Sequence, residues 1–103
     1  MSEATYFILT ALLDGPLHGY GIILRTGEQS AGRVRIAVAT LYRTLDRLEE
    51  GGLVVADREE IVEGRTRRYY RITDDGIGAL RAEAARLQQA VELVTRRIAV
   101  TGA

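Results

Sequence analysis

The junction at Leu48-Glu49-Glu50-Gly51-Gly52-Leu53 constrains this chain more than any other stretch. Before it, residues from about Ala37 to Glu50 carry apolar side chains at helical spacing. Val38, Leu41, Leu45 and Leu48 fall on one side, while Ala39, Arg43, Arg47 and Glu50 face away. The glycine pair supplies the left-handed conformation that stops a helix. After it, Leu53 to Ile61 reads as a strand, Val62 to Thr66 as a hairpin tip and Arg67 to Ile72 as the returning strand. A charged-faced helix thus runs directly into a hairpin.

The flanking segments complete the order. Ser2 caps a first helix running to about Asp14, with Ile8, Leu9, Leu12 and Leu13 on its apolar face. Gly15-Pro16 breaks it. A second helix spans about His18 to Ser30, and Gly19, Gly21 and Gly27 leave it dependent on packing. Arg33 to Ile36 alternates as a short strand would. Thr73 caps a last helix, with Asp74 and Asp75 at the positive end of its dipole. The fold class this predicts is mainly α with a small β-hairpin: a winged helix-turn-helix over residues 1–73, then a dimerisation helix over 74–100. Thr101 to Ala103 form a free end.

Arginine occupies both projecting parts. In a winged helix-turn-helix the second helix enters a DNA major groove and the hairpin grips the backbone. Thr40, Tyr42, Arg43 and Arg47 are the candidate DNA-binding residues of the reading helix, and Arg65 and Arg67 those of the wing. Guanidinium suits this work because its fork matches both phosphate oxygens and the guanine edge. The formal net charge is zero, but five arginines against two acids lie between Arg25 and Arg47, and five against three between Arg58 and Arg71. Local potential rather than the sum steers binding to a polyanion. Read alone, each device has a bland explanation as a solvated face or a charge-blunted hairpin. Their succession favours double-stranded DNA.

The last helix carries a different signal. Ile77, Leu80, Ala84, Leu87, Val91, Val94 and Ile98 are spaced 3, 4, 3, 4, 3, 4, an unbroken heptad seam. Such a stripe is narrower than a helix needs against its own domain, and a second copy of the chain is the natural cover. Each fully buried Leu, Ile or Val of the seam contributes roughly 1.5–3 kcal/mol. Glu92 stands four residues before Arg96, the favourable order for an ion pair.

Other chemistry is poorly provided for. The chain has no cysteine and a single histidine, His18, so thiolate zinc sites, histidine clusters and cysteine nucleophiles are excluded. No nucleophile–base–acid set or phosphate loop is present, and neither an enzyme nor a cofactor is expected. His18 reads as a cap or packing residue. The apolar run Tyr6 to Leu13 is too short for a membrane span and lacks a basic lead. A cytoplasmic protein without a membrane partner is the expectation.

Gly15-Pro16-Leu17-His18-Gly19-Tyr20, Ala39-Thr40-Leu41-Tyr42, Leu48-Glu49-Glu50-Gly51-Gly52-Leu53 and Arg68-Tyr69-Tyr70-Arg71-Ile72-Thr73 together resemble the PadR family of bacterial transcriptional regulators. The single terminal helix resembles the compact subfamily that includes multidrug-responsive repressors. The resemblance implies a homodimeric repressor joined through its last helix, bound to an inverted-repeat operator and released by a small hydrophobic or aromatic effector. No aromatic stands in the last helix, so Tyr6 and Phe7 would supply the rings of an effector pocket, with Ala84 and Gln88 beside them. The lead Ile36-Ala37-Val38-Ala39 offers the reading helix no side-chain cap. The alternative is a winged-helix protein–protein interaction module without an operator.

Overall fold

The structure is a computed structural model and describes residues 1–102; Ala103 lies outside the described residues. Ser2 Oγ accepts from Thr5 N at 3.1 Å and starts α1, Glu3–Ala11. The helix ends earlier than its apolar pattern suggests. Leu12 N and Leu13 N donate to Leu9 O and Thr10 O at 3.1 Å each, tightening the last turn. That tightening keeps Leu12 in the core and turns Leu13 outward.

After Gly15-Pro16 comes β1, Leu17–His18, which the sequence pattern does not reveal. α2 spans Gly19–Gln29. The strand expected at Arg33 to Ile36 does not form. Val34 N instead donates to Ser30 Oγ at 2.9 Å and Arg33 N to Ser30 O at 3.1 Å, so local partners replace a neighbouring strand. Ile36 still reaches the core.

α3 spans Val38–Glu50, entered through Ala37 with no side-chain cap. Leu41, Thr44, Leu45 and Leu48 face inward, and Thr44 turns its hydroxyl to Thr40 O at 2.8 Å. Val38, expected with them, is exposed because the first turn reaches past the body of the domain. At the other end Gly52 has φ 76°, with Gly52 N on Glu49 O at 3.0 Å and Leu53 N on Leu48 O at 2.9 Å. These two bonds make a Schellman stop.

β2, Val54–Val62, and β3, Arg65–Ile72, follow at once. The sheet order is β1-β3-β2, all antiparallel, with Leu17 opposite Tyr70 and Val54 opposite Ile72. One extra residue bulges β2 between Ala56 and Glu59, which strengthens the twist of the hairpin. The tip is two residues, not the five expected. Glu63 and Gly64 take φ 52° and 77°, the pattern of a type I′ turn, so Arg65 and Thr66 belong to the strand.

α4, Asp74–Thr101, opens with Thr73 Oγ1 accepting from Gly76 N at 3.0 Å and donating to Gly52 O at 2.6 Å. The start of α4 is thereby tied to the stop of α3. Its first turns pack on α1 and against Leu53 and Ile72, burying Gly76 and Leu80. Leu80 therefore belongs to the protomer's own core, which it shares with Ile8, Leu9, Leu12, Ile22, Leu41, Leu45, Val54 and Tyr70. From Ala84 to Gly102 every residue is exposed. The helix stands out as an arm, giving the molecule extents of 61 × 27 × 21 Å.

Candidate nucleic-acid interface

Three elements meet around an open cleft of about 670 Å³. His18, Gly19 and Tyr20 form its wall from β1 and α2, Tyr42 from α3, and Arg65 and Arg67 from β3. Helical spacing places Tyr42 on the flank of α3 nearest α2. Alternation along β3 puts Arg65, Arg67 and Tyr69 on one face. Of the six DNA-binding candidates, the fold gathers Tyr42, Arg65 and Arg67 at this cleft. Thr40, Arg43 and Arg47 are exposed on α3 outside it. Arg47 lies on the far flank, beside Met1, Thr5 and Leu53 in a shallow hollow. The reading helix thus shows Arg43 outward, with Tyr42 and Arg47 on opposite flanks.

The pairing of charges separates the arginines of α3 and the hairpin into two sets. Arg68 reaches Glu49 of α3 at 3.8 Å and lies over the Tyr70 ring, so it braces wing against reading helix. Arg71 pairs with Asp57 at 3.5 Å. Arg58 pairs with Asp57 at 3.4 Å and stacks on the Tyr69 ring at 4.0 Å, and Tyr69 donates to Glu60 at 2.7 Å. Among the described residues, Arg43, Arg47, Arg65 and Arg67 have no carboxylate within 4.0 Å. Of the wing's acids, Asp57 and Glu60 are matched to the arginines that hold it together. The four left without a partner carry fork donors toward solvent on both devices.

Two features of the cleft escaped the sequence reading. Tyr42 lies over Gly19, where a β-carbon would come within 2.9 Å of its Cζ. His18 stands against Tyr69, ring centroids 5.4 Å apart. Burial first, then the Arg67 guanidinium, hold its imidazole below the ordinary value, and Glu60 pulls the other way. The motif Gly19-Tyr20 and the lone histidine were visible, but only the pairing of β1 with β3 brings them to the wing.

The expected effector residues divide between two hollows at the root of α4. Tyr6 and Phe7 meet edge to face at 5.7 Å and line one of about 310 Å³ with Glu83, Arg86 and Leu87. Ala84 lines the neighbouring one with Tyr6, Thr10, Ile77 and Leu80. Gln88 lines neither, because its amide turns along the helix to Glu92 Oε1 at 3.3 Å. Of the seam, Ile77 is half-buried and Leu80 buried, while Ala84, Leu87, Val91, Val94 and Ile98 are exposed along the arm. Among the described residues no group of three or more His, Cys, Asp or Glu is placed to hold a metal, and no helix is long and apolar enough to cross a membrane.

A helix projecting unpaired arginines beside an arginine-bearing wing defines a winged helix-turn-helix DNA-binding regulator of transcription. The model of the PadR-like family of transcriptional regulators matches residues 8–82. The transcriptional regulator Rv3488 of Mycobacterium tuberculosis is 39% identical over 82 residues, covering 80% of this chain and 73% of that protein. A transcriptional regulator of Clostridium thermocellum, Cth-833, superposes with a TM-score of 0.76 at 26% identity, over 89% of each chain. Bacillus subtilis PadR, solved in complex with operator DNA, superposes at 0.71 with 26% identity, over 82% of this chain and 48% of that one. The chain belongs to the PadR-like family of transcriptional regulators.

Proposed function

We propose that the protein is a repressor that binds an inverted-repeat operator as a homodimer and is released by a small hydrophobic or aromatic effector. The observation that carries the DNA reading is the split among the arginines. Arg43, Arg47, Arg65 and Arg67 stand without carboxylate partners on the reading helix and wing, whereas Arg58, Arg68 and Arg71 are tied down. Arg43, with Thr40 beside the helix start, reads base edges; Arg65 and Arg67 grip phosphates across the cleft from Tyr42; Arg47 holds the backbone on the other flank. The relative solved with operator DNA supports the same use of this fold.

The arm supports the dimer. Leu87, Val91, Val94 and Ile98 are 39–57% exposed in the protomer, which leaves an apolar stripe with no cover in its own chain. A second copy covers it by two-fold symmetry and sets two reading helices at the spacing of a palindrome. The hollow lined by Tyr6, Phe7 and Leu87 borders that seam, and an effector bound there would change the separation of the two reading helices.

Fluorescence anisotropy on duplex DNA from the chain's own upstream region, against a scrambled duplex and across a salt series, tests the reading. Tight, sequence-dependent binding with a steep salt slope is expected. Equal, weak binding to both duplexes alongside a stable complex with another protein would move the function to protein–protein contact.

A further inference from the structure

One titratable group in the cleft is left unused by the arginine contacts. His18 ends β1 opposite Tyr69 and immediately precedes α2, where it makes no capping bond with its side chain. Its ring folds over Gly21, so that a β-carbon there would meet His18 Cε1 at 3.3 Å and Nδ1 at 3.4 Å. The imidazole therefore lines the same cleft as Arg65 and Arg67.

The charges that face it come from every wall. β3 contributes Arg67, with Arg65 and Arg68 further along the cleft; the turn contributes Glu63. β2 contributes Glu60, already engaged by the Tyr69 hydroxyl at 2.7 Å and by Arg58 at 4.0 Å. Tyr20 and Tyr42 add phenols from α2 and α3. The N-terminal end of α2 adds its positive partial charge directly behind the ring. In the free protein burial, and after it Arg67, disfavours a cation at His18, while Glu60 favours one. A DNA phosphate lodged between Arg65 and Arg67 reverses the balance, because it neutralises the guanidinium that opposed protonation and offers an anionic acceptor.

We propose that His18 is a further phosphate-contacting side chain of the cleft, and that it takes up a proton when duplex DNA docks, so that affinity for DNA rises as pH falls. The proposal rests on the DNA reading above. By linkage, each protomer that gains a proton on binding tightens the complex up to about tenfold per pH unit, between the titration midpoints of the free and bound states.

A phosphate contact is indifferent to sequence, so a mixed-sequence duplex at low salt serves as the probe. The chain has one histidine, so ¹³C/¹⁵N labelling of the protein isolates a single imidazole signal from the purine protons of unlabelled DNA. Titration by NMR is expected to give a midpoint below the ordinary imidazole value in the free protein and a higher midpoint in the complex. A bound midpoint equal to or below the free one overturns the proposal. Anisotropy from about pH 5.5 to 8 gives a second reading. The wild type is expected to tighten in acid, whereas His18→Phe, which keeps a ring against Tyr69, loses that dependence. Duplex binding with the same pH profile in both proteins sinks this inference and leaves the DNA reading standing. Absence of duplex binding at every pH sinks both.

Discussion

Tyr42 of α3 lies so close over Gly19, the first residue of α2, that a β-carbon on Gly19 would stand 2.9 Å from Tyr42 Cζ and collide with the hydroxyl. The placement of the Tyr42 ring therefore depends on a missing side chain. Replacing Gly19 by Ala gains up to about 1 kcal/mol of helix propensity. The exposed Tyr42 ring must swing aside and Leu41 Cδ2, at 3.3 Å, must give slightly, which offsets that gain. Gly19→Ala is thus expected to change stability in urea denaturation by less than about 1 kcal/mol and to weaken DNA binding by displacing Tyr42. In a Tyr42→Ala background the same change should leave DNA binding unaltered. A loss of binding that persists in that background would show the contact to be irrelevant.

The split among the arginines predicts unequal effects on DNA binding. Arg65 has no carboxylate partner, so Arg65→Ala should weaken all duplexes alike and flatten the salt slope by about one per protomer. Arg71 is committed to Asp57 at 3.5 Å, and Arg71→Ala should leave that slope unchanged. Arg43→Ala should cost about 1–3 kcal/mol and relax preference at one base position if it reads a guanine. Anisotropy across a salt series, with single-base variants of the bound duplex, measures all three. Equal slope changes for Arg65→Ala and Arg71→Ala would show that pairing within the chain does not sort these residues.

Legibility in the sequence followed the range of the interaction. α3, the hairpin and α4 were readable because period and glycine stops are local signals: Leu41, Leu45 and Leu48 at helical spacing, then Gly51-Gly52. β1 was not, since two residues become a strand only by pairing with Tyr69 and Tyr70. Arg33 to Ile36 shows the reverse error. Its alternation was real, but Ser30 met the backbone donors that a strand needs. Periodicity placed Leu80 on the seam without revealing that its end of the helix is covered by the protomer's own core. Glu92 and Arg96 stand at ion-pair spacing, yet Arg96 Nε donates to the Glu92 carbonyl while the carboxylate takes the Gln88 amide. Composition likewise counted the wing's acids against DNA binding; only the fold shows which arginines they hold.

Gly76 predicts a stability defect remote from the cleft. A β-carbon there would strike Leu53 O and lie 2.7 Å from Ile72 Cγ1. The carbonyl is fixed backbone, already accepting from Thr73 N at 3.0 Å, and has no rotamer to move away with. Gly76→Ala is expected to cost about 3 kcal/mol or more, against the smaller gain in helix propensity. For a domain of this size that lowers Tm by upwards of about 12 °C. A calorimetric Tm within a few degrees of the wild type would mean that the joint between Leu53 and α4 is soft.

Val91 tests the arm. It is 57% exposed in the protomer and lies in the middle of the stripe formed with Leu87, Val94 and Ile98, so Val91→Asp should leave the winged domain folded. In a two-fold seam the change occurs twice, removing two buried side chains and placing two carboxylates in an apolar contact. The expected weakening of the dimer is about 3 kcal/mol or more, at least a hundredfold in its dissociation constant. Sedimentation velocity should show a monomer at concentrations where the wild type is a dimer, with an unchanged far-ultraviolet spectrum apart from fraying of the arm. DNA affinity should fall with it, since each monomer then engages a single half-site. A Val91→Asp protein that stays dimeric would place the interface elsewhere and leave the stripe on α4 without its partner.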